Sequence, residues 1–405
     1  MADSALRVLL FVALASGIAV PAPLFAAGED GPRLSASSSA PGHPPGAAMD
    51  GRRETWWQSE ASGEQELRVD LGAVRDVGGL AVTWEPELGA GLVIVEASED
   101  GTAWKTLRRL YGATGEESWT RLPRTSGRFF RLRLLDGSGP AYGIREADFL
   151  PGDVARSAEA LYGVMAKGAR RGLFPRGVRG EPVSWMSAGS EGGRPVAFLS
   201  SDGAFETESG LFVLEPFVRV AGRLLTWADV AAETSREEGE PVPTVKWTSR
   251  EVGLDVTALV EGAPGASRLL LRYRIRNRTA GRLVATLVLA VRPLLTRPTG
   301  NAASAPWRVS SIRTLEWDGR QLLVNGQSAL VPSQAPASFN AAAFASGDVT
   351  TYLEAGRVPP EHGVEDPSGL ASGVLAFPLS LEAGARADVV VEIPPAAGPG
   401  TTKTR

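Results

Sequence analysis

The sequence predicts an all-β protein whose strands form more than one sandwich, and three observations carry that prediction. Glycine and proline are frequent, 47 and 29 in 405 residues, which cuts a chain into short elements joined by turns. Apolar and polar residues alternate through stretch after stretch, the period of a half-buried strand. The length exceeds the roughly 250–300 residues at which single cores stop growing, so two or three domains are expected.

In chain order, a polar lead, "RLSASSSAPGHPPGA", gives way to short alternating segments. "QELRVDLG" ends in an Asp-Leu-Gly turn, "GGLAVTW" and "GLVIVEAS" are rich in β formers, and "EDGTAW" supplies a tight turn. "GRFFRLRLL" puts Phe129, Arg131, Arg133 and Leu135 on one face and Phe130, Leu132 and Leu134 on the other. Strands at this spacing predict a sandwich or jelly roll. Between 154 and 169 the rhythm changes: Leu161, Val164 and Met165 recur at helical spacing, so a short linker helix is expected, with its Tyr and Met used in packing.

From about 172 the β signals return as a larger, mostly antiparallel sandwich. "RLLLRYRIRN" places Leu269, Leu271, Tyr273 and Ile275 opposite Arg272, Arg274 and Arg276. The nearly continuous apolar run "GRLVATLVLAVRP" reads as a strand covered on both faces, joined to it as a hairpin by "NRTAG". Asp318-Gly319 and Asn325-Gly326 mark turns between three further strands. The resulting division is a signal peptide over 1–27, a first domain over 33–150, a linker with a helix over 151–171, a large sandwich over 172–395 and a disordered tail over 396–405.

Composition excludes several functions. A net charge of −4 leaves no field to attract polyanions, so nucleic acid is not an expected partner. The densest basic stretch, Arg170, Arg171, Arg176 and Arg179, is read as a solvated loop. With no cysteine there is no disulfide framework, thiol nucleophile or thiolate metal site. The two histidines, His43 and His362, both sit in turn-rich loops, which leaves no material for a Ser-His-acid triad or a His-rich zinc site. An apolar run from Val8 to Val20 follows Arg7 and precedes Pro21 and Pro23, the pattern of a secretory leader cleaved between Ala22 and Ala27. It is shorter than the ~20 residues of a membrane span. The mature chain is therefore expected to carry no membrane span and to be secreted or periplasmic.

Adjacent Trp56 and Trp57 in "MDGRRETWWQS" raise a question of their own. Neighbours on an extended strand point to opposite faces, so one indole can enter a core while the other stays at the surface.

Residues 33–150 resemble a discoidin domain, also called the coagulation factor V and VIII C-type domain. "SASSS", "MDGRRETWWQS", "LRVDLG", "SEDGTAW", "GRFFRLRL" and "YGIREADF" fall in that family's order. The resemblance implies a jelly-roll β-sandwich whose loops at one end bind ligands, in exported bacterial proteins most often glycans. The family's Thr-x-Trp-x-Ser motif assigns Trp57 to the core and leaves Trp56 at the variable position; it also makes Trp104 a core residue. Sugar binding requires an aromatic plate for the C–H face of a pyranose and fixed polar groups for its hydroxyls. Trp56, Arg52, Glu85, Glu87 and Tyr111, all drawn from variable loops, are the candidate ligand-binding residues. The resemblance further implies a structural Ca2+, held by the Asp50 and Thr55 side chains, the Arg53 and Ala147 carbonyls and the Glu146 carboxylate. A calcium ion takes six to eight oxygens and would act as a staple where disulfides are missing.

Residues 170–395 resemble the large β-sandwich that precedes an α/α-barrel in bacterial carbohydrate-active proteins. "RRGLFPRGVRGEPVSWMSAG", "DGAFE", "LEPFV", "LLTWADV", "PVPTVKW", "RYRIRN" and "LAVRPLLTRP" carry that likeness. In such proteins the barrel holds the catalytic acids, and here the chain stops where it would begin. Glycoside hydrolysis needs two facing carboxyl groups. Glu206, Glu208, Glu215, Asp229 and Glu251 are present but read as solvated strand and turn residues, and no pair stands out. Trp185, Trp227 and Trp247 are assigned to the core, although a cluster of them on one sheet face could have met a barrel.

Two readings remain: an exported, non-catalytic carbohydrate-binding protein with an accessory sandwich, or a truncated or split glycoside hydrolase or phosphorylase-like protein that lacks its α/α-barrel. The partners implied are a glycan or polysaccharide and, in the second case, an α/α-barrel domain or protein. A structural adhesion protein of the envelope is a third, weaker reading.

Overall fold

The computed structural model describes residues 31–394, apart from 114–115, 190–196, 208, 237–241, 262–267 and 298–306. The expected leader and tail, together with Glu208, lie outside the described residues. The protein is all-β, with antiparallel pairing throughout its named sheets.

The first sandwich comprises β1 (Arg33–Ala36), β2 (Trp57–Gln58), β3 (Gln65–Trp84), β4 (Ala90–Ser98), β5 (Lys105–Ala113), β6 (Glu117–Leu135) and β7 (Gly143–Pro151). Their order is β2-β7-β3-β6-β4-β5, with β1 added on β3. The segments "QELRVDLG" and "GGLAVTW" are not two strands but the halves of β3. Asp70-Leu71-Gly72 does not end it: the Asp70 carboxylate accepts the Gly72 amide at 2.9 Å, Gly72 has φ 75°, and the register against β6 breaks between Asp70 and Arg75. Before this irregularity β3 pairs with β1, and after it with β7, so one bent strand serves both parts of the jelly roll.

Gly78 lies in the second half, where a Cβ would stand 2.6 Å from the Gly152 carbonyl oxygen. The alternation in "GRFFRLRLL" is realised, with Phe130, Leu132 and Leu134 fully buried. They pack with Trp57, Trp84, Leu67, Val69 and Phe149.

A 3-10 turn over Gly152–Arg156 leads into α1 (Ala158–Gly168), capped by the Ser157 side chain, which accepts the Ala160 amide. Leu161, Tyr162 and Met165 are buried as packing residues, while Val164 is only partly covered.

The second sandwich has two layers. One, eight-stranded among the described residues, runs β23 (Ser338–Ala342), β25 (Ser372–Leu381), β17 (Leu283–Arg292), β11 (Val213–Val220), β10 (Phe205–Thr207), β9 (Ala197–Ser200), β8 (Trp185–Ala188), with β12 (Arg223–Leu225) on β11. The other, nine-stranded, begins β13 (Ala231–Arg236), β14 (Pro243–Thr248), β15 (Val252–Glu261), β16 (Arg268–Asn277), β26 (Arg386–Ile393). It continues through β22 (Gln327–Pro332), β21 (Leu322–Val324), β20 (Thr314–Trp317) and β24 (Gly363–Glu365). The expected turns at Asp318-Gly319 and Asn325-Gly326 join β20, β21 and β22. A two-stranded ribbon, β18 (Leu294–Leu295) with β19 (Arg308–Val309), follows β17, and α2 (Val349–Glu354) lies between β23 and β24.

The run "LVATLVLAVR" is covered on both faces as expected. Leu287, Leu289 and Val291 enter the core between the sheets, and Val288 and Ala290 pack towards α1. It does not form a hairpin with β16, however. β16 pairs with β15 and β26, β17 with β11 and β25, so residues 278–282 cross from one layer to the other. The reason is polarity: a strand with an arginine face needs a layer that is wet on one side, whereas an apolar strand needs one covered on both. Residues 382–385 make the same crossing between β25 and β26. Buried Asn277 fastens the two corners, donating through Nδ2 to the carbonyls of Gly281 (2.7 Å) and Leu381 (2.9 Å).

Several polar side chains depart from the sequence reading. Glu206 and Glu215 are buried rather than solvated. Asp229 pairs with Arg170 and Glu251 with Arg223. The Arg292 guanidinium, fully buried, donates to Glu215 (3.0 Å), the Leu173 carbonyl (2.9 Å) and Asp348 (3.2 Å), and its Cζ lies over the Phe174 ring, 4.5 Å from the centroid. Burial pushes the Glu215 carboxyl up to about 7 against the pull of Arg292.

The basic stretch is likewise no solvated loop. Arg170 binds Glu354, Arg171 binds Glu181, Arg176 and Arg179 also face Glu181, and Arg171 and Arg176 stack on Trp227 at 4.6 and 4.2 Å. A bidentate guanidinium over an indole gains both hydrogen bonds and apolar cover, which composition alone does not display. Trp227 and Trp247 are core residues as expected and Trp185 is half-buried. The large exposed hydrophobics among the described residues are Val74, Tyr111, Val284 and Val358, so no exposed tryptophan cluster remains there. No helix of the described residues is long and apolar enough to cross a membrane.

Candidate ligand and metal site

The loop from Asp50 to Trp56 is built by its own hydrogen bonds. It leaves a 3-10 turn, Pro45–Met49, through Gly51 with φ 74°. The Asp50 carboxylate accepts the Arg52 amide at 2.9 Å and the Thr55 hydroxyl at 2.8 Å, a side-chain-to-backbone turn of the kind aspartate favours. The chain then enters β2, where Trp57 points inward. Trp57 is fully buried, and its indole N–H donates to the Ser38 carbonyl at 3.0 Å.

Trp56 stays at the rim, half-buried. One face of its ring lies against His43, with centroids 4.1 Å apart and planes tilted by 33°, and its N–H donates to Gln58 at 3.1 Å. The divergence of neighbouring side chains on a pleated strand therefore accounts for both tryptophans. His43, read from the sequence as an ordinary loop residue, is what holds the outer one.

The other candidates are distributed unevenly. Arg52 is exposed in the same loop. Glu85 is half-buried and held by Arg145 at 2.7 Å; Arg145 also donates to the Arg53 carbonyl at 3.1 Å, tying the end of β3 to the 50–56 loop. Glu87 is exposed with φ 67°. Tyr111 is 67 % exposed on β5, at the opposite end of the strand order from β2. Trp104, expected in the core, is half-buried instead: Arg131 covers its ring at 4.4 Å, which replaces core packing with a cation–π contact. Its neighbouring turn is capped by Asp100, which accepts the amides of Thr102 (2.8 Å) and Ala103 (2.9 Å).

Of the five expected metal ligands, Asp50, Thr55 and Arg53 share the loop, while Glu146 and Ala147 lie on β7, paired to Thr83 and Val82. Glu146 is 5 % exposed and its Oε1 has no hydrogen-bond partner. Burial, then Asp148, then Asp50 push its carboxyl up to about 7. Asp148, two residues on, is raised to about 6 by burial and Glu117, with Arg53 opposing. An orphaned buried oxygen beside a second carboxylate is the arrangement a hard cation would satisfy. Among the described residues no three His, Asp or Glu side chains gather as a chelating group, so backbone carbonyls would have to complete such a shell. The Arg53 carbonyl would be shared with Arg145. The sequence reading missed Arg145 and Asp148, although both stand in the quoted "YGIREADF".

This part of the chain falls in the antiparallel jelly-roll class, with aromatic and charged groups held on its entry loop. More specifically, residues 33–147 match the family model of the F5/8 type C, or discoidin, domain. No curated protein matches the chain. Among solved structures it is similar to CpGH89CBM32-5 from Clostridium perfringens, in complex with GalNAc-β-1,3-galactose, at 16 % identity, 29 % of this chain, 94 % of that one and a TM-score of 0.28. A chitosan-binding module of a chitosanase/glucanase from Paenibacillus sp. IK-5 aligns at 22 % identity over 32 % of this chain and 96 % of its own, with a TM-score of 0.28. The family 32 module of NanJ from C. perfringens, in complex with galactose, aligns at 20 % identity over 29 % and 92 %, with a TM-score of 0.27.

Proposed function

We propose that the protein is an exported, non-catalytic carbohydrate-binding protein. Its discoidin domain binds a glycan at the entry loop, and the larger sandwich over 172–395 is an accessory module. The observation that carries this reading is the orientation of Trp56: an indole at the rim, fixed from one side by His43, offers its remaining surface to a pyranose ring. Of the candidate hydroxyl partners, Arg52 lies in the same loop and Glu87 is exposed, Glu85 would act while paired with Arg145, and Tyr111, on the far edge strand β5, would act only on an extended saccharide. A glycan array probed with the full chain should give binding that Trp56→Ala reduces by about tenfold or more, the scale of losing one aromatic contact. An array with no positive saccharide, or one unaltered by Trp56→Ala, would overturn the proposal.

Calcium belongs to the same reading. Asp50, Thr55 and Glu146, with the Arg53 and Ala147 carbonyls, would hold it, and it would supply a staple between the entry loop and β7. A ligand at about a hundred times its dissociation constant stabilises the folded state by about 2.7 kcal/mol. Adding calcium should therefore raise the thermal midpoint of the wild-type chain by several degrees and leave Glu146→Gln unmoved; equal responses in the two proteins would refute the site. The division of the chain at 151–171, and a secreted or periplasmic location conferred by residues 1–27, complete the proposal.

A further inference from the structure

A cavity of about 400 Å3 lies where the two sandwiches meet. Its floor is the outer face of the β7-β3-β6 sheet, and its roof is formed by α1, α2 and the segment that follows α1. Alternation builds the floor: Ala81 and Thr83, Glu117 and Trp119, and Glu146 and Asp148 alternate with inward residues of the jelly-roll core.

The walls are tied together across the junction. Arg357 binds Glu116, the Ser346 hydroxyl donates to the Gly112 carbonyl, and Arg121 donates to the Ala155 carbonyl at 3.3 Å. Leu150 and Trp119 pack in the same apolar cluster as Leu161 and Phe344. The cavity is thus preformed, and domain junctions are where ligand pockets concentrate.

Its chemistry is selective. The Trp119 N–H donates to Glu117 at 3.1 Å, which fixes the plane of the indole. Glu117 also faces Arg53 at 3.5 Å, and Arg170 is taken up by Glu354 at 2.8 Å and Asp229 at 3.1 Å. Asp148 is different: it makes no hydrogen bond or ion pair with any described residue, although it stands in the cavity wall. Carboxylates in the lining outnumber guanidiniums five to three. Half-buried, with no hydrogen bond to its carboxylate from a described residue, Asp148 is available to a donor that enters the cavity.

We propose that this cavity is a second saccharide site, entered at the domain junction and sharing Arg53 and Glu146 with the expected metal site, and that it takes an amine-bearing sugar whose ammonium group pairs with Asp148 while its C–H face lies on Trp119. The Thr83 and Thr351 side chains in the lining are the hydroxyl partners. The negative excess disfavours a uronate, and a neutral sugar leaves Asp148 unpaired. Arg53 and Glu146 belong both to this wall and to the expected metal set, so the two sites are tested together with calcium held constant.

Calorimetry on the full chain with calcium present tests this. The probes are the β-1,4-linked glucosamine disaccharide, its N-acetylated form and cellobiose. Wild type should bind the free amine most tightly. Asp148→Asn should weaken that binding by about tenfold or more, the worth of a charge-assisted hydrogen bond, and by the same factor when it is introduced into a Trp56→Ala background, where binding at the entry loop is already removed. Thr351→Lys, at a half-buried helix position, should abolish it by placing a competing ammonium in the cavity. Retained thermal midpoints identify the folded variants, and one folded variant of the two suffices. No binding of the amine sugar, equal affinity for cellobiose, or indifference to both cavity variants in the Trp56→Ala background would each overturn the proposal.

Discussion

Arg292→Leu should cost about 3–5 kcal/mol of stability, the range for removing one partner of a buried ion pair. The guanidinium is fully buried between Glu215 and Asp348, and both carboxylates would be left without a cation. Asp348 also caps α2 by accepting the Thr350 amide at 2.9 Å, so the loss should reach the helix as well as the sheet. The effect carries a sign in pH. Losing the guanidinium removes the pull that opposes burial, so the Glu215 carboxyl of the variant rises further above its ordinary value of 4.5. A folded-state carboxyl pKa above the unfolded one means that the folded chain holds a proton the unfolded chain releases. Stability then falls as pH rises through that interval. Urea unfolding at about pH 5 and about pH 8 should show the larger deficit at the higher pH, and adding Glu215→Gln should restore part of it. A deficit independent of pH would mean that packing against Phe174, and not charge, is what Arg292 provides.

Trp57→Ala should destabilise the discoidin domain by about 3–5 kcal/mol, the usual cost of truncating a buried aromatic. The indole is fully enclosed, and its N–H satisfies the Ser38 carbonyl at 3.0 Å. Trp57→Phe keeps most of the volume but leaves that carbonyl unmatched, so a smaller loss of about 1–2 kcal/mol is expected. Trp56→Ala, one residue away, should fall within about 0.5 kcal/mol of wild type apart from its stacking on His43. Three denaturation curves read the whole series. Equal losses at 56 and 57 would contradict the opposed orientation of the pair.

What the sequence made legible follows from the range of each interaction. Alternation in "GRFFRLRLL" and the Asn325-Gly326 turn are set by neighbours in the chain, and both appear where expected. The hairpin between β16 and β17 failed because a short loop fixes proximity, not the layer into which each strand goes; the arginine face of one and the apolar faces of the other decided that. Trp104 was placed inside by motif, yet Arg131, twenty-seven positions away, covers it at the surface. Glu215 looked like any strand carboxylate until Arg292 and Asp348 arrived from distant segments. The cavity at the junction was invisible for the same reason, since Trp119, Asp148, Arg170 and Thr351 share no stretch of sequence.

The paired corners at Asn277 bear on the order of folding. Connections this short close in roughly 10–100 ns, whereas the pairing of β11 with β17 must bring Val220 and Ala285 together across a long intervening chain. Each corner alone is local, but the Asn277 bond to the Leu381 carbonyl joins residues 104 apart, so fastening one corner to the other carries a loop-closure cost of the same order as the β11–β17 ladder.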